Sequence, residues 1–311
     1  MRVLITGAGG FFGRALVRQF ALAGEEVVAA DIMDPNDFAP RSDTPADAVS
    51  YIQLDVADES QWALDRTGPI QGIVQAAALT PTLDEMKEEP RKLVNVNLNG
   101  TLHALNFAQE QGIEKFLFIS SGGVYDQFTP TTLHEADADG GFSLYGSAKL
   151  AAEIMTWRYA EMFGFDAGAV RPTSMYGPAE EFRGTRPFVT EIKTLVDAAM
   201  SGTAVRIEGQ DAHCDWIFVD DVAKAAYDFF AAGMDSRAFN LSSGNPRPFS
   251  EVVAAVQSVF GLKVDASSDT VIDGNPNRPT VISPDAYKKE FGWQPPPLED
   301  GLRRYSEALQ Q

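Results

Sequence analysis

The chain has 311 residues and a formal net charge of −19, with 44% hydrophobic and 22% charged residues. This composition is typical of a globular protein, and the negative charge disfavours nucleic acid and anionic membrane surfaces as partners because both would repel it. Cys214 is the only cysteine, which excludes an internal disulfide and a cysteine metal cluster, so we expect a cytoplasmic enzyme without a metal or a membrane anchor.

Strands and helices alternate over the first 120 residues, which favours a parallel sheet with helices on both faces. The predicted strands comprise residues 2–6, 26–31, 50–54, 70–75 and 115–120. The predicted helices comprise residues 11–23, 59–66 and 90–111. Residues 32–49 and 126–142 are predicted to be surface loops. The fold class is therefore α/β, with a doubly wound parallel Rossmann sheet.

A glycine-rich turn follows the first predicted strand with the spacing Gly7-x-x-Gly10-x-x-Gly13. Glycine at such a strand–helix turn lets the backbone approach a phosphate, and the helix N-terminus favours an anion. Asp31 ends the second strand, in the position of the ribose-binding acid of dinucleotide folds. A 2′-phosphate would lie beside this carboxylate, so NAD is favoured over NADP. The alternative for the glycine turn is that it only packs the strand against the helix. The alternative for Asp31 is a solvated aspartate at the end of a strand.

The third and fourth strands end on residues that would border the same site. Asp55 can accept a hydrogen bond from an adenine amino group, or it can cap a loop. The small residues after the fourth strand leave room for a cofactor, although small residues also pack helices. The further residues predicted to contact the cofactor are Phe11, Phe12, Asp55, Val56, Ala76, Ala77 and Ala78.

Tyr145 and Lys149 share one face of a helix predicted to run from about residue 142 to 163. An ammonium group about 5 Å from a phenol favours the phenolate by roughly 3 kcal/mol at intermediate dielectric, so we expect Lys149 to lower the pKa of Tyr145. Tyr145 would then act as a base. Ser121 follows the fifth strand and is expected at the same crevice. The alternatives are a structural Tyr–Lys pair and a serine that caps a turn.

The strand–helix alternation loosens beyond residue 172. Helices are predicted near residues 188–200, 220–232, 250–260 and 298–309. We predict an NAD-binding Rossmann domain over residues 1–172, to which parts of 213–245 return. Residues 173–311 would mainly form a smaller, interleaved α/β lobe that binds the substrate.

Several short motifs follow one another along nearly the whole chain. In addition to the glycine turn, Asp31 and Tyr145-x-x-x-Lys149, they are Asp55-Val56, Ala77-Ala78, Asn97-Leu98-Asn99-Gly100-Thr101, Ser120-Ser121-Gly122-Gly123-Val124-Tyr125, Arg171-Pro172-Thr173-Ser174 and Asp215-Trp216-Ile217-Phe218. In this order and spacing, the chain resembles the extended short-chain dehydrogenases/reductases of the NAD-dependent epimerase/dehydratase family.

The resemblance implies a role for each matched residue. Tyr145 would be the catalytic acid/base, Ser121 the catalytic hydroxyl, and Lys149 would bind the nicotinamide ribose. Asn97 would support the site from the long helix. The segment expected against the nicotinamide is Pro172, Thr173 and Ser174.

The resemblance also implies a reaction and an assembly. A hydride would pass between NAD and a carbon that bears a secondary hydroxyl. A homodimer would form through the helices near residues 90–111 and 143–163.

The chain departs from the family pattern at positions that bear on the substrate. Gly122 and Gly123 replace the Asp-Glu pair of the sugar 4,6-dehydratases, which disfavours dehydration of that kind. Ser174 and Cys214 stand where many nucleotide-sugar enzymes have an Asn and an Arg that hold the diphosphate. The predicted substrate-contacting residues are Thr80, Gly122, Gly123, Ser174, Arg183, Arg186, His213 and Arg278.

The leading hypothesis is a sugar or nucleotide-sugar epimerase that uses NAD to oxidise and then reduce a secondary hydroxyl. The alternative is an NAD-dependent dehydrogenase of a non-nucleotide sugar or sugar acid, whose carboxylate an arginine would bind. A non-catalytic NAD-sensing protein is disfavoured because the chain keeps Ser121, Tyr145 and Lys149.

Overall fold

The computed structural model describes residues 1–38, 40–64, 68–274 and 277–310. Its strands are β1 (Arg2–Thr6), β2 (Glu26–Asp31), β3 (Val49–Gln53), β4 (Gly72–Gln75), β5 (Lys115–Ile119), β6 (Thr132–Leu133), β7 (Asp166–Pro172), β8 (Ser174–Tyr176), β9 (Ala204–Glu208), β10 (His213–Cys214), β11 (Trp216–Phe218), β12 (Arg237–Leu241), β13 (Arg247–Pro248), β14 (Lys263–Val264), β15 (Val271–Asp273) and β16 (Val281–Ile282). Its α-helices are α1 (Phe11–Leu22), α2 (Leu83–Glu88), α3 (Pro90–Val94), α4 (Gly100–Gln111), α5 (Leu144–Phe163), α6 (Glu191–Ser201), α7 (Val219–Ala232), α8 (Phe249–Phe260), α9 (Asp285–Phe291) and α10 (Leu298–Ala308).

Seven strands form one parallel sheet in the order β12-β7-β5-β4-β1-β2-β3. The chain runs outward from β1 through β2 to β3, then crosses to β4 and continues in the opposite direction. The reversal lies between β1 and β4, where doubly wound sheets bind ligands. The predicted doubly wound α/β fold is confirmed.

Helices cover both faces of the sheet and bury two separate apolar clusters. Val3 and Ile5 belong to the cluster under α1 and α7, whereas Leu4 belongs to the cluster under α4 and α5. Successive side chains of a strand point to opposite faces, so a continuous apolar run such as β1 is buried on both. The sheet is therefore held from both sides, and its carboxyl edge is fixed in place.

The second half of the chain adds a smaller lobe with its own core. Ile192 of α6, Val252 of α8 and Leu302 of α10 meet in a third buried cluster. The strand β12 leaves this lobe and pairs with β7 in the large sheet. The two lobes interleave along the chain, and the boundary at residue 172 stays a prediction. Within the described ranges, no helix is long and apolar enough to cross a membrane.

The prediction of a helix over residues 59–66 is wrong. A single 3-10 turn, Glu59–Trp62, takes its place, and residues 65 and 66 lie outside the described part of the chain. The indole N–H of Trp62 donates to the carbonyl of Val56 at 3.2 Å, and the buried ring packs on Phe107. This anchoring of Trp62 favours a compact turn over a longer helix.

Three other predicted segments are interrupted. The helix predicted over residues 90–111 contains a π-helical turn, Asn95–Asn99, between α3 and α4. Such turns are common at functional sites. The loop predicted over 126–142 contains β6, which pairs with β16 far along the chain. The loop predicted over 32–49 contains a 3-10 turn, Ala46–Ala48, and the first residue of β3.

A buried ion pair attaches α5 to the sheet. The guanidinium of Arg171 on β7 donates to both carboxylate oxygens of Glu153, from Nε at 2.9 Å and from the second terminal nitrogen at 2.6 Å. Arg171 also donates to the Tyr125 hydroxyl at 2.6 Å, and that hydroxyl donates to Asn240 of β12 at 2.8 Å. One network thus joins α5, β7 and β12.

We expect Glu153→Gln to lower the free energy of unfolding by about 3–5 kcal/mol, because it leaves the Arg171 guanidinium buried without a countercharge. The matched control is Glu161→Gln, which breaks an exposed pair with Arg158 on the same helix and should cost less than about 1 kcal/mol. Urea unfolding measures both. Equal effects of the two substitutions would contradict the importance of the buried pair.

Candidate active site

A cleft of about 2070 Å³ runs along the carboxyl ends of the parallel strands. The sequence-predicted residues that line it are Gly7, Gly10, Phe11, Phe12, Gly13, Asp31, Asp55, Val56, Ala76, Ala77, Ala78, Thr80, Ser121, Gly122, Gly123, Tyr145, Lys149, Pro172, Thr173, Ser174, Arg183, Arg186 and Arg278. Among the residues that the structure describes, the lining includes neither Asn97 nor His213. The cleft therefore brings together most of the residues predicted from the sequence.

The glycines of the turn are required by close backbone contacts. A Cβ atom on Gly13 would lie 2.0 Å from the carbonyl oxygen of Gly7, and one on Gly7 would lie 2.6 Å from Cα of Ala77. Gly7 also has a φ of +65°, which favours glycine. Gly10 is the N-cap of α1 and places no side chain over the first N–H groups of the helix. These N–H groups form a cradle suited to a phosphate.

Asp31 lies beside this cradle at the end of β2. One of its carboxylate oxygens accepts from the Gly9 N–H at 2.8 Å, and the other accepts from the Met33 N–H at 3.1 Å. Each oxygen accepts more than one hydrogen bond, so both retain capacity for ribose hydroxyls. The cradle and the carboxylate together fit a dinucleotide.

Asp55 accepts a hydrogen bond from the N–H of Ala57 at 2.9 Å, so the loop-capping alternative is realised. Its side chain still borders the cleft. Thr6 orders the neighbouring wall, because its hydroxyl accepts from the N–H groups of Ala76 and Ala77, each at 3.1 Å. Thr6 ends the first predicted strand, and the sequence assigned it no role.

Tyr145 and Ser121 meet where α5 begins beside the end of β5. The Ser121 hydroxyl oxygen accepts from the Gly123 N–H at 3.0 Å, so the serine caps a turn and keeps its own proton to donate. Burial raises the pKa of Tyr145, and Ser121 and Arg186 lower it. The positive charge that lowers this pKa in the structure is that of Arg186, and the lowering by Lys149 stays a prediction.

Lys149 is almost fully buried, one helical turn beyond Tyr145. Its ammonium group donates to the carbonyl of Ile119 at 2.8 Å and lies 4.8 Å from the centre of the Phe118 ring. Burial lowers the pKa of Lys149 to about 7, and the carboxylate of Glu153 partly offsets this effect. Burial disfavours the ammonium form of Lys149, so the positive charge near Tyr145 is only partial at neutral pH.

Asn97 supports the site without facing it. Its side-chain oxygen accepts from the N–H of Leu79 at 2.7 Å, and its amide nitrogen donates to the Leu79 carbonyl at 2.9 Å. The buried amide thus fixes the loop after β4. Asn97 positions this wall through Leu79 and does not line the cleft itself, so its inclusion among the catalytic residues stays a prediction.

The prediction that His213 contacts a substrate is not supported by its position. The His213 ring hydrogen-bonds to the carbonyl of Asp211 at 2.8 Å, within its own turn, and lies outside the lining of the cleft. Ser174 and Cys214 do line the cleft, and the Cys214 thiol lies 3.2 Å from the Ser174 hydroxyl. Arg278 donates to the same hydroxyl at 3.4 Å, so it lies beside the site.

Aromatic residues at the mouth of the cleft were missed in the sequence. Phe128 and Phe142 pack edge to face with ring centres 4.7 Å apart, and both are largely exposed. Phe188 stacks against the guanidinium of Arg186 at 5.0 Å. Phe128 lies in a predicted loop, and Phe142 and Phe188 stand at the starts of predicted helices, so no motif marked them as residues of the cleft. Within the described chain, no group of three or more potential ligands is placed to hold a metal ion.

A family model described as the NAD dependent epimerase/dehydratase family matches residues 3–242. A curated relative, a UDP-glucose 4-epimerase of Mycolicibacterium smegmatis, is 25% identical over 95% of this chain and 94% of its own length.

Solved structures share the fold over the whole chain. A UDP-glucose 4-epimerase of Thermotoga maritima, crystallised with UDP-glucose, superposes with a TM-score of 0.82 at 21% identity, covering 100% of this chain and 99% of that one. A UDP-glucose 4-epimerase of Thermus thermophilus in complex with NAD gives 0.81 at 24% identity, with the same coverage.

The buried Lys149 predicts a pH-dependent contribution to stability. Because its pKa is lowered to about 7 in the folded protein, the unfolded chain binds more protons between about pH 7 and pH 10. The free energy of unfolding of the wild type, relative to Lys149→Met, should therefore rise with pH across this range, by at most about 1.4 kcal/mol per pH unit. Urea unfolding at several pH values tests this.

The control for this experiment is Lys224→Met, which removes a largely exposed lysine paired with Asp228. The difference in free energy of unfolding between this variant and the wild type should not change over the same pH range. A flat difference for Lys149→Met as well would show that the folded protein keeps Lys149 charged.

Proposed function

Because the chain belongs to the NAD dependent epimerase/dehydratase family, we propose that it is a nucleotide-sugar epimerase. The family establishes an NAD-dependent enzyme, so the predicted cofactor and enzyme class are confirmed. The observation that carries the proposal is that Ser121, Tyr145 and Lys149 border one cleft with the glycine cradle. The choice of a nucleotide sugar rests on relatives that act on UDP-glucose.

Residues of this chain would hold NAD along the carboxyl edge of the sheet. The N-terminus of α1 would bind the diphosphate, Asp31 the adenosine ribose, and Lys149 the nicotinamide ribose. NAD supplies the acceptor and then the donor of a hydride. The segment from Pro172 to Ser174 would form the wall against the nicotinamide.

Tyr145 would remove the proton of the substrate hydroxyl during oxidation and return it during reduction. The Ser121 hydroxyl has its oxygen occupied by the Gly123 N–H, so its proton is directed to the substrate oxygen or to the phenol. The positive charge of Arg186 favours the phenolate of Tyr145. The large cleft leaves room for a sugar ketone to turn over before reduction on its other face.

The substrate would lie between the catalytic residues and the smaller lobe. Arg278 borders Ser174. Its guanidinium would neutralise part of the diphosphate charge, in place of the arginine that many nucleotide-sugar enzymes carry at the position of Cys214. Gly122 and Gly123 carry no group that moves a proton, which favours epimerisation over loss of water.

We also propose that the protein is a homodimer. The outer face of α5 carries exposed apolar side chains, including Ile154, Met162 and Phe163. Burial of such a face against its copy would remove apolar surface from water.

Tyr145→Phe should lower turnover of a nucleotide sugar by roughly 10²- to 10⁴-fold while NAD binding persists, because only the transferable proton is lost. Tyr159→Phe is the matched control on the same helix, since it removes a hydroxyl that donates to Asn106 at 2.8 Å outside the cleft. Sugar products are separated by chromatography, and NADH is followed by absorbance. Full activity of Tyr145→Phe would contradict the assignment, and net NADH formation would contradict an epimerase.

A further inference from the structure

The connection between β8 and α6, residues 180–190, forms a closed loop that we call the strap. The carboxylate of Glu180 accepts from the Thr190 N–H at 2.9 Å and from the Thr190 hydroxyl at 2.7 Å. It also pairs with the guanidinium of Arg186 at 2.8 Å, and Glu180 itself is fully buried. The two ends of the strap are thus held together and its shape is fixed, as in compact surface loops.

The tip of the strap is a tight turn. Arg183 and Arg186 exchange two backbone hydrogen bonds, at 3.0 and 2.9 Å. The residues between them, Gly184 and Thr185, are exposed. The tip therefore projects from the smaller lobe as a unit.

The tip is attached to the cofactor-binding half of the protein on both sides of the cleft. The N–H of Thr80, in the loop after β4, donates to the carbonyl of Thr185 at 2.9 Å. On the other side, the guanidinium of Arg183 donates to the sulfur of Met33 at 2.7 Å. Met33 follows Asp31 by two residues, so this contact lies beside the ribose-binding carboxylate.

Two further contacts connect the strap to the start of α1. The guanidinium of Arg186 lies 5.3 Å from the centre of the Phe11 ring, in the glycine turn. The carboxylate of Glu181 lies 3.7 Å from the guanidinium of Arg14, one turn into the helix. Both contacts are next to the phosphate cradle.

These contacts follow three neighbouring strands. Thr80 comes after β4, Phe11 after β1 and Met33 after β2, and the sheet order is β4-β1-β2. With about 4.8 Å between neighbouring strands, the strap crosses roughly 10 Å of the carboxyl edge. A dinucleotide held by the cradle and by Asp31 would lie between the strap and the sheet.

We infer that the strap retains NAD in the cleft, so that the cofactor leaves only after the contacts of the strap with Thr80 and Met33 open. This inference rests on the proposed function and deepens it. An epimerase returns NAD to its starting state in every cycle and has no need to exchange it, whereas a dehydrogenase must release NADH. The inference makes positioning residues for cofactor retention of Arg183 and Thr185. Arg183 was predicted from the sequence to contact the substrate.

The direct test is to fasten the strap reversibly with Thr80→Cys/Thr185→Cys. The backbone hydrogen bond of 2.9 Å from Thr80 to Thr185 places the two backbones next to each other, as a disulfide requires. The only native cysteine, Cys214, is buried. The variant is loaded with radiolabelled NAD, oxidised, and chased with unlabelled NAD.

Release of the label should be at least about tenfold slower in the oxidised protein than in the same protein after reduction. The reduced protein serves as its own control for folding and for loading. Equal release in both states would overturn the inference. Failure of the disulfide to form, shown by thiol titration, would also overturn it, because the strap would then not lie against Thr80.

A second variant weakens the strap. Arg183→Ala removes the contact with Met33 and should speed the release of labelled NAD by roughly two- to fivefold. The control is Arg206→Ala in the same lobe, which removes an exposed guanidinium paired with Glu208 and should leave release unchanged. Unchanged release in Arg183→Ala would count against the strap.

Both measurements are made without a sugar, so they separate the two proposals. Slow, strap-dependent release with no epimerase activity would overturn the proposed function and keep the strap. Epimerase activity with release that does not depend on the strap would keep the proposed function and overturn the inference about the strap.

Discussion

The paired charges of Glu153 and Arg171 are the interaction on which the site depends. The pair lies at the interface between α5 and β7, and the cost of burying two charges is offset only by the bidentate geometry and the additional hydrogen bonds around them. Because α5 carries Tyr145 near its start and Lys149 one turn later, the position of both groups relative to the sheet follows from this attachment. The network also reaches Asn240 on β12, so it ties α5 to two neighbouring strands of the large sheet.

Glu153 has a second role, since its carboxylate raises the pKa of Lys149 against the effect of burial. One carboxylate therefore neutralises a structural arginine and influences the charge of a functional lysine. The remaining capacity of Lys149 to donate is limited by its bond to the Ile119 carbonyl. These neighbours fix the position of Lys149, which its sequence spacing from Tyr145 does not reveal.

The fold was predictable because its signals are local. An apolar run such as β1 followed by glycines specifies a buried strand and a tight turn, and Asp31 could be placed because it ends the next strand. Asn97 was identified through family resemblance, but its amide contact with Leu79 depends on a residue 18 positions away. Trp62 was placed in a helix because the sequence pattern did not reveal its bond back to Val56.

The contacts of the strap were equally hidden, since they join Arg183 to Met33 across 150 positions. Nothing in the local pattern indicates such a contact. The expected lowering of the Tyr145 pKa was assigned to Lys149 from its spacing in the sequence. In the structure burial has the largest effect and raises this pKa, and the positive charge that lowers it is that of Arg186. Interactions between distant segments therefore account for most of what the sequence left undetermined at the site.

The close packing of Gly123 against Tyr145 has a consequence for how this enzyme can diversify. A Cβ at position 123 would lie 3.2 Å from the Tyr145 ring, and at position 122 it would meet the side chain of Ile282 at 3.2 Å. An acidic residue at position 123 would therefore push the Tyr145 ring by a few tenths of an ångström. The Asp-Glu pair of the dehydratases would therefore fit at positions 122 and 123 only with a small shift of Ile282 and Tyr145.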